Sequence, residues 1–87
     1  MDITIITNLE LHDSEYKFYI IQDGNIIDDI VVDKDDFSKF ILHYYKDYNA
    51  NKIILFGNDI LTYYYEKKIR EKSTDYAITD ITIERRI

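Results

Sequence analysis

Cysteine, proline and tryptophan are absent from this 87-residue chain, and glycine occurs only twice, at Gly24 and Gly57. Without cysteine there is no disulfide framework and no thiolate metal site, which fits a reducing compartment. Two isolated glycines exclude a glycine-rich phosphate loop, and each already has a turn or strand-end role. No apolar run reaches membrane-spanning length, and the start, Met1-Asp2-Ile3-Thr4, lacks the basic region of a signal peptide. The expectation is a soluble, cytoplasmic protein of one domain spanning residues 1–87.

Positive charge is also in short supply. Lys and Arg number 11 against 17 Asp and Glu, a net charge of −6. Such a surface repels phosphate backbones and argues against direct nucleic-acid binding. What the chain has in excess is isoleucine, at 17 positions, and tyrosine, at nine, residues that favour pleated, half-buried surfaces. The Ile, Asn, Lys, Asp and Tyr bias is what an AT-rich coding sequence produces. It points to a low-GC bacterium, its phages or plasmids, or an AT-rich virus.

Ile3-Thr4-Ile5-Ile6-Thr7 opens a strand that the pattern carries to Leu9 or Leu11, before a polar turn at His12–Glu15. Tyr16–Gln22 and Asn25–Val32 flank Asp23-Gly24, a type I′ hairpin signal because both central residues need positive φ. A two-residue loop pairs Gln22 with Asn25, Ile21 with Ile26 and Ile20 with Ile27. Asp33 is a helix cap, with Asp35 and Asp36 in the first turn, where the backbone dipole favours negative charge. Phe37, Phe40, Ile41, Tyr44, Tyr45 and Tyr48 form an aromatic helical face, and the helix ends near Asn49-Ala50-Asn51. Lys52-Ile53-Ile54-Leu55-Phe56, apolar on both faces, reads as a buried central strand. Asn58 then caps a second helix whose face carries Ile60, Leu61, Tyr64, Tyr65, Lys68 and Ile69. Tyr76-Ala77-Ile78 begins a last strand that Ile81 and Ile83 extend. The order is β-β-β-α-β-α-β, an α/β (α+β) fold. An N-terminal antiparallel meander enters a mixed sheet with helices packed on it.

That order, over essentially the whole chain, resembles the ribonuclease-H-like fold, in which the meander is followed by α-β-α-β and the first strand pairs with the fourth. The resemblance implies a metal-binding Asp at the end of the first strand, an acid early in the first helix, and an Asp at the end of the fourth strand. Two divalent metals held there drive phosphodiester hydrolysis. In this chain the two strand-end positions are matched by Asn8 and Asn58, uncharged amides that ligate Mg²⁺ poorly. A shift of one or two residues substitutes Glu10 and Asp59, with Asp35 or Asp36 as the helix acid and Asp75 or Asp80 as a fourth.

Glu10, Asp36 and Asp59 are therefore the catalytic candidates of an alternative reading, a minimal metal-dependent nuclease or phosphoesterase. Asp36 and Asp59 are equally ordinary first-turn helix acids, and Glu10 an ordinary solvated one. His12 and His43 lack a third ligand at sensible spacing and read as surface residues.

The leading reading has no catalytic residue, no metal and no cofactor. Asp23, Asp28, Asp29, Asp33, Asp35 and Asp36 gather at one end of the hairpin and the start of the helix. They could mimic a phosphate array toward a basic nucleic-acid-binding protein, or simply solubilise. Lys67, Lys68, Arg70, Lys72, Arg85 and Arg86 oppose them, as dipole-complementing charge and a frayed tail, or as a contact for an acidic face. Tyr63, Tyr64 and Tyr65 are consecutive on one helix, spanning about 200°, and cannot all face one core. Exposed tyrosine is enriched at interfaces, so a protein partner or a homodimer through the second helix follows. The expectation is a small acidic interaction protein or inhibitor, phage- or mobile-element-encoded.

Overall fold

In the computed structural model, residues 2–10 and 14–87 are described; Leu11, His12 and Asp13, with the expected strand extension to Leu11 and the His12 turn, lie outside them. The chain forms an α/β structure of one five-stranded mixed sheet and two α-helices. In chain order these are β1 (Ile3–Asn8), β2 (Glu15–Gln22), β3 (Asn25–Asp33), α1 (Phe37–Asp47), β4 (Lys52–Phe56), α2 (Asp59–Ser73) and β5 (Ile83–Arg86). The strands lie in the order β3-β2-β1-β4-β5. β1 is central, antiparallel to β2 and parallel to β4, while β5 is parallel to β4.

The hairpin turn has φ of 50° at Asp23 and 82° at Gly24, both positive as a type I′ turn demands. Gln22 pairs with Asn25 and Ile21 with Ile26, but Ile20 pairs with Asp28, not Ile27. A bulge at Ile20/Ile21 admits Ile27 as an extra residue. Without it, Asp29 and Val31 would lie opposite Phe18 and Tyr16 in the core. With it, Ile30 and Val32 take those places. One inserted residue flips every later side chain to the other face, and here it keeps a carboxylate out of the apolar layer. Asp28, now on the helix side, accepts a hydrogen bond from the Tyr48 hydroxyl at 2.8 Å.

Both helices cover the same face. Ile5, Phe18, Ile20, Ile53 and Leu55 from the strands meet Phe37, Ile41, Leu42 and Tyr45 of α1 and Tyr65 and Ile69 of α2 in one core. Its centre is an aromatic trio: Tyr16, Phe37 and Tyr65, one each from β2, α1 and α2. The rings sit edge to face at centroid separations of 5.0, 5.4 and 5.2 Å. Such pairs add about 0.5–1.5 kcal/mol beyond area burial.

The helix faces differ from those the spacing predicts. On α1, Phe37, Ile41 and Tyr45 of the expected face are buried and so is Leu42 outside it, whereas Phe40, Tyr44 and Tyr48 are only partly so. α1 packs against α2 as well as the sheet, and that second neighbour draws the buried stripe toward Leu42 and Tyr45. On α2 the inward residues are Thr62, Tyr65, Ile69 and Ser73, while Ile60 and Tyr64 face out. Thr62 is tolerated inside because its hydroxyl donates to the Asn58 carbonyl at 2.9 Å. The last strand also begins later than expected. Thr74–Tyr76 is a 3₁₀ turn closed by Ala77 at φ 58°, and pairing with β4 starts only at Ile83. Among the described residues no helix is long and apolar enough to cross a membrane.

Two outcomes follow. Phe37→Ala, which empties the centre of the trio, is expected to cost about 3–5 kcal/mol in urea unfolding, and Phe40→Ala distinctly less because its ring is only half-buried. Tyr65 has its phenol pushed well above the ordinary value by burial, then by its hydrogen bond with Tyr16. A raised pKa means the contribution is complete below the unfolded value of about 10 and is lost as pH rises beyond it. Melting temperature should therefore fall above about pH 10, and less steeply in Tyr65→Phe.

Candidate functional site

In sheets of this kind chemistry gathers beyond the carboxyl ends of the parallel strands. Here β1 ends at Asn8 and β4 at Phe56, side by side in register, with β5 ending at Arg86 next to Phe56. Beyond them lies an open depression of about 580 Å³ whose lining includes Asn8, Glu10, Gly57, Asn58 and Arg86. Its floor is set by backbone contacts. Leu9 N–H donates to the Phe56 carbonyl at 2.7 Å, and Gly57 N–H to the Arg86 carbonyl at 3.2 Å. A Cβ on Gly57 would stand 3.2 Å from that of Leu9, which is fully buried beneath it, so glycine fits where a side chain would press on the core.

The polar groups at this end serve the backbone. The Asn58 side chain accepts from Leu61 N–H at 2.8 Å, capping α2. The Asn8 side chain accepts from Glu10 N–H at 3.1 Å. Asp59 is bound by Arg85, whose guanidinium also donates to the Asp59 carbonyl at 3.2 Å and to the Thr62 hydroxyl at 3.0 Å. Arg85 and Arg86 are thus residues of β5, not a frayed tail, and Arg85 ties that strand to the start of α2. The alternation of Ile81 and Ile83 with Thr82 and Glu84, carried on into the arginines, was the signal that could have found this.

Glu10, Asp36 and Asp59 are not brought together. Asp36 caps α1 without a side-chain hydrogen bond, next to Phe37. Among the described residues, no three His, Asp or Glu side chains stand close enough to hold a metal ion. His43 is exposed and pairs with Asp47 one turn on, Nε2 to Oδ2 3.1 Å.

The acidic residues do not form one patch at one end of the hairpin. Asp23 is in the turn, while Asp33 ends β3 and Asp35 and Asp36 lie just past it, roughly 25 Å away at strand rise. Asp28 and Asp29 point to opposite faces: the first meets Tyr48, the second Lys17 at 3.6 Å. Asp33 spends its carboxylate capping Asp35 N–H at 2.9 Å. Of the consecutive tyrosines, Tyr65 is buried, whereas Tyr63 and Tyr64 are 59% and 52% exposed. Arg85 lies over the Tyr63 ring and Lys68 over that of Tyr64, each at 5.7 Å.

No family model and no curated protein matches the chain. Among solved structures it resembles a protein of Bacteroides thetaiotaomicron described as having an actin-like ATPase fold and unknown function. The TM-score is 0.60 at 12% identity, over 94% of this chain and 32% of the other. The chain thus spans about a third of that protein's length. The likeness is one of fold.

With both asparagine side chains accepting from backbone amides and Asp59 held by Arg85, Mg²⁺ and Mn²⁺ lack an anionic cage. Neither is expected to raise the melting temperature in calorimetry. A metal-induced rise of several degrees that disappears in Asp59→Ala would show a site assembled from these carboxylates.

Proposed function

We propose that this chain is a small, non-catalytic interaction protein that engages another protein through the outward face of α2. One observation carries the reading. Ile60, Tyr63 and Tyr64 stand at i, i+3 and i+4, so they form a single stripe, and Ile60 is 80% exposed. Lys67 extends the stripe one turn further at i+7. Isolated exposed hydrophobics are ordinary, but two tyrosines and an isoleucine on one helical face make a continuous amphipathic surface. Tyrosine suits such a role, since the ring adds contact area at small conformational cost while the hydroxyl stays wet. Lys68 over the Tyr64 ring favours a partner offering carboxylates at the rim of an apolar groove, Arg85 over Tyr63 being already paired with Asp59.

The acidic residues around Asp33, Asp35 and Asp36 form a second, separate surface. A basic nucleic-acid-binding protein is the partner class their charge favours, with inhibition by occupying its phosphate-binding surface as the concrete form. A phage or mobile-element source and action in the cytoplasm belong to the same reading. So does the finer fold assignment: β1 between β2 and β4 in the order β3-β2-β1-β4-β5 supports a ribonuclease-H-like topology.

The test is capture from a lysate of the native host by tagged protein, native or carrying Tyr63→Ala with Tyr64→Ala. An interface tyrosine at the centre of a contact contributes about 2 kcal/mol, roughly thirtyfold in affinity. The double variant should lose the captured protein while melting at the native temperature. Equal recovery by both forms would remove α2 from the interaction.

A further inference from the structure

β3 ends the sheet, and among the described residues no strand lies beyond it. Along an antiparallel strand the backbone groups turn alternately toward the partner and away from it. Ile30 and Val32 pair with Phe18 and Tyr16, and just past the strand the Lys34 N–H donates back to the Ser14 carbonyl at 2.9 Å. The even-numbered residues therefore bond to β2, and Asp29, Val31 and Asp33 turn outward. The Asp29 N–H agrees, since it donates to the Asp28 carboxylate at 2.9 Å and not to β2. The Asp29 carbonyl and both backbone groups of Val31 and Asp33 face the open edge. That stretch offers about five main-chain hydrogen bonds to an added strand.

The charged side chains on this stretch of β3 are all acidic. Asp29 and Asp33 stand about 13 Å apart on one face, either side of Val31, and Asp33 lies opposite Glu15 of β2. Like charges directly opposite each other across strands repel. Lys17 answers Asp29 at 3.6 Å in a half-exposed pair, and Asp33 accepts from the Asp35 N–H. On the helix side, the half-buried Tyr44 and Tyr48 rings stack at 6.3 Å, and the Tyr48 hydroxyl reaches Asp28 of the edge strand. An added strand thus meets aromatic rings on one side and carboxylates on the other. A second copy of the chain fits badly, because antiparallel pairing of β3 with itself about Val31 sets Asp29 opposite Asp33 at both ends.

The geometry points to an extended segment of a basic protein as the occupant, adding to the β3 edge as a further strand of the sheet. Main-chain hydrogen bonds to Val31 and Asp33 align it. Lysine or arginine at positions four apart then falls opposite Asp29 and Asp33, where opposite charges across strands attract. The residues of alternate phase fall opposite Ile30 and Val32, on the side of the tyrosine rings, and are apolar. The inference rests on the basic partner class proposed above for the surface at Asp33, Asp35 and Asp36, and supplies its mode of binding. It does not involve the α2 stripe.

The probe is a blocked seven-residue peptide of alternating valine and lysine, titrated into the full chain at low salt. At saturation, amide hydrogen exchange at Val31 should slow at least tenfold, while Val32, already bonded to β2, should change little. Asp29→Asn combined with Asp33→Asn keeps the acceptor for the Asp35 N–H, and should weaken binding at least tenfold at an unchanged melting temperature. The same peptide with every amide N-methylated keeps its charge but donates no main-chain hydrogen bond, and should not bind. Equal binding by the N-methylated peptide, or unchanged exchange at Val31, would overturn strand addition while leaving the basic-partner reading as simple charge attraction. Binding that is indifferent to the double variant would overturn the role of the two carboxylates. No binding of either peptide would overturn both the strand addition and the basic-partner reading.

Discussion

The fold turns on the contact among Tyr16, Phe37 and Tyr65. Each ring comes from a different element, and the three reach one another only if β2, α1 and α2 share a side of the sheet. Helix α1 approaches from the β3 side of the sheet and α2 from the β4 side, so neither has to lie beside the other for its own strand's sake. The trio joins them into one layer. Burial first, and the neighbouring Tyr16 hydroxyl second, hold the Tyr65 phenol in its neutral form. Phe37 needs no such partner and sits at the centre.

Placing both helices together has a consequence for the strands. A five-stranded sheet with one covered side has two chemically different faces, and the alternation along β1 and β2 must respect that. Thr7 shows how tightly: it lies on the covered side, fully buried, and its hydroxyl donates to the Lys17 carbonyl at 2.8 Å. The bulge in the hairpin obeys the same demand. The Asp23-Gly24 turn sets Ile26 opposite Ile21 on the outer face, and no unbroken register from there puts Ile30 opposite Phe18 inside; it would put Asp29 there instead. Bulging costs a ladder position and local twist, which is less than an unpaired buried carboxylate costs.

Signals confined to a few adjacent residues were legible before the structure. Asp23-Gly24 specifies a turn by φ alone, Asn58 caps by its own side chain, and the four residues Ile53 to Phe56 are all apolar, so β4 sits where its composition puts it. What escaped depends on distant neighbours. The bulge is invisible in Asn25–Asp33 taken alone, since it answers to Phe18 and Tyr16. The buried stripes of α1 and α2 are displaced from their apparent centres because each helix packs on the other as well as on the sheet. Tyr76–Ile78 has strand-like composition, yet β4 offers its open edge only to residues that arrive at Ile83 and beyond. The carboxylates Glu10, Asp36 and Asp59 illustrate the same limit: sequence spacing put them near strand and helix ends, but nearness to an end does not make them converge.

Arg85 explains why the strand-end region is structural before it is anything else. Its guanidinium is the partner of Asp59 and of the Thr62 hydroxyl, and its plane lies over Tyr63. A single side chain from the last strand thereby fixes the first turn of α2, the turn whose amides would otherwise be available to an anion. Asn58 occupies one of those amides and the Asp59 charge is answered from within the molecule. The same contact orients α2 so that Tyr65 faces inward and Tyr63 outward, linking the edge of the sheet to the tyrosine stripe. The α2 surface proposed to bind a partner is therefore held by the same residues that close off the strand ends.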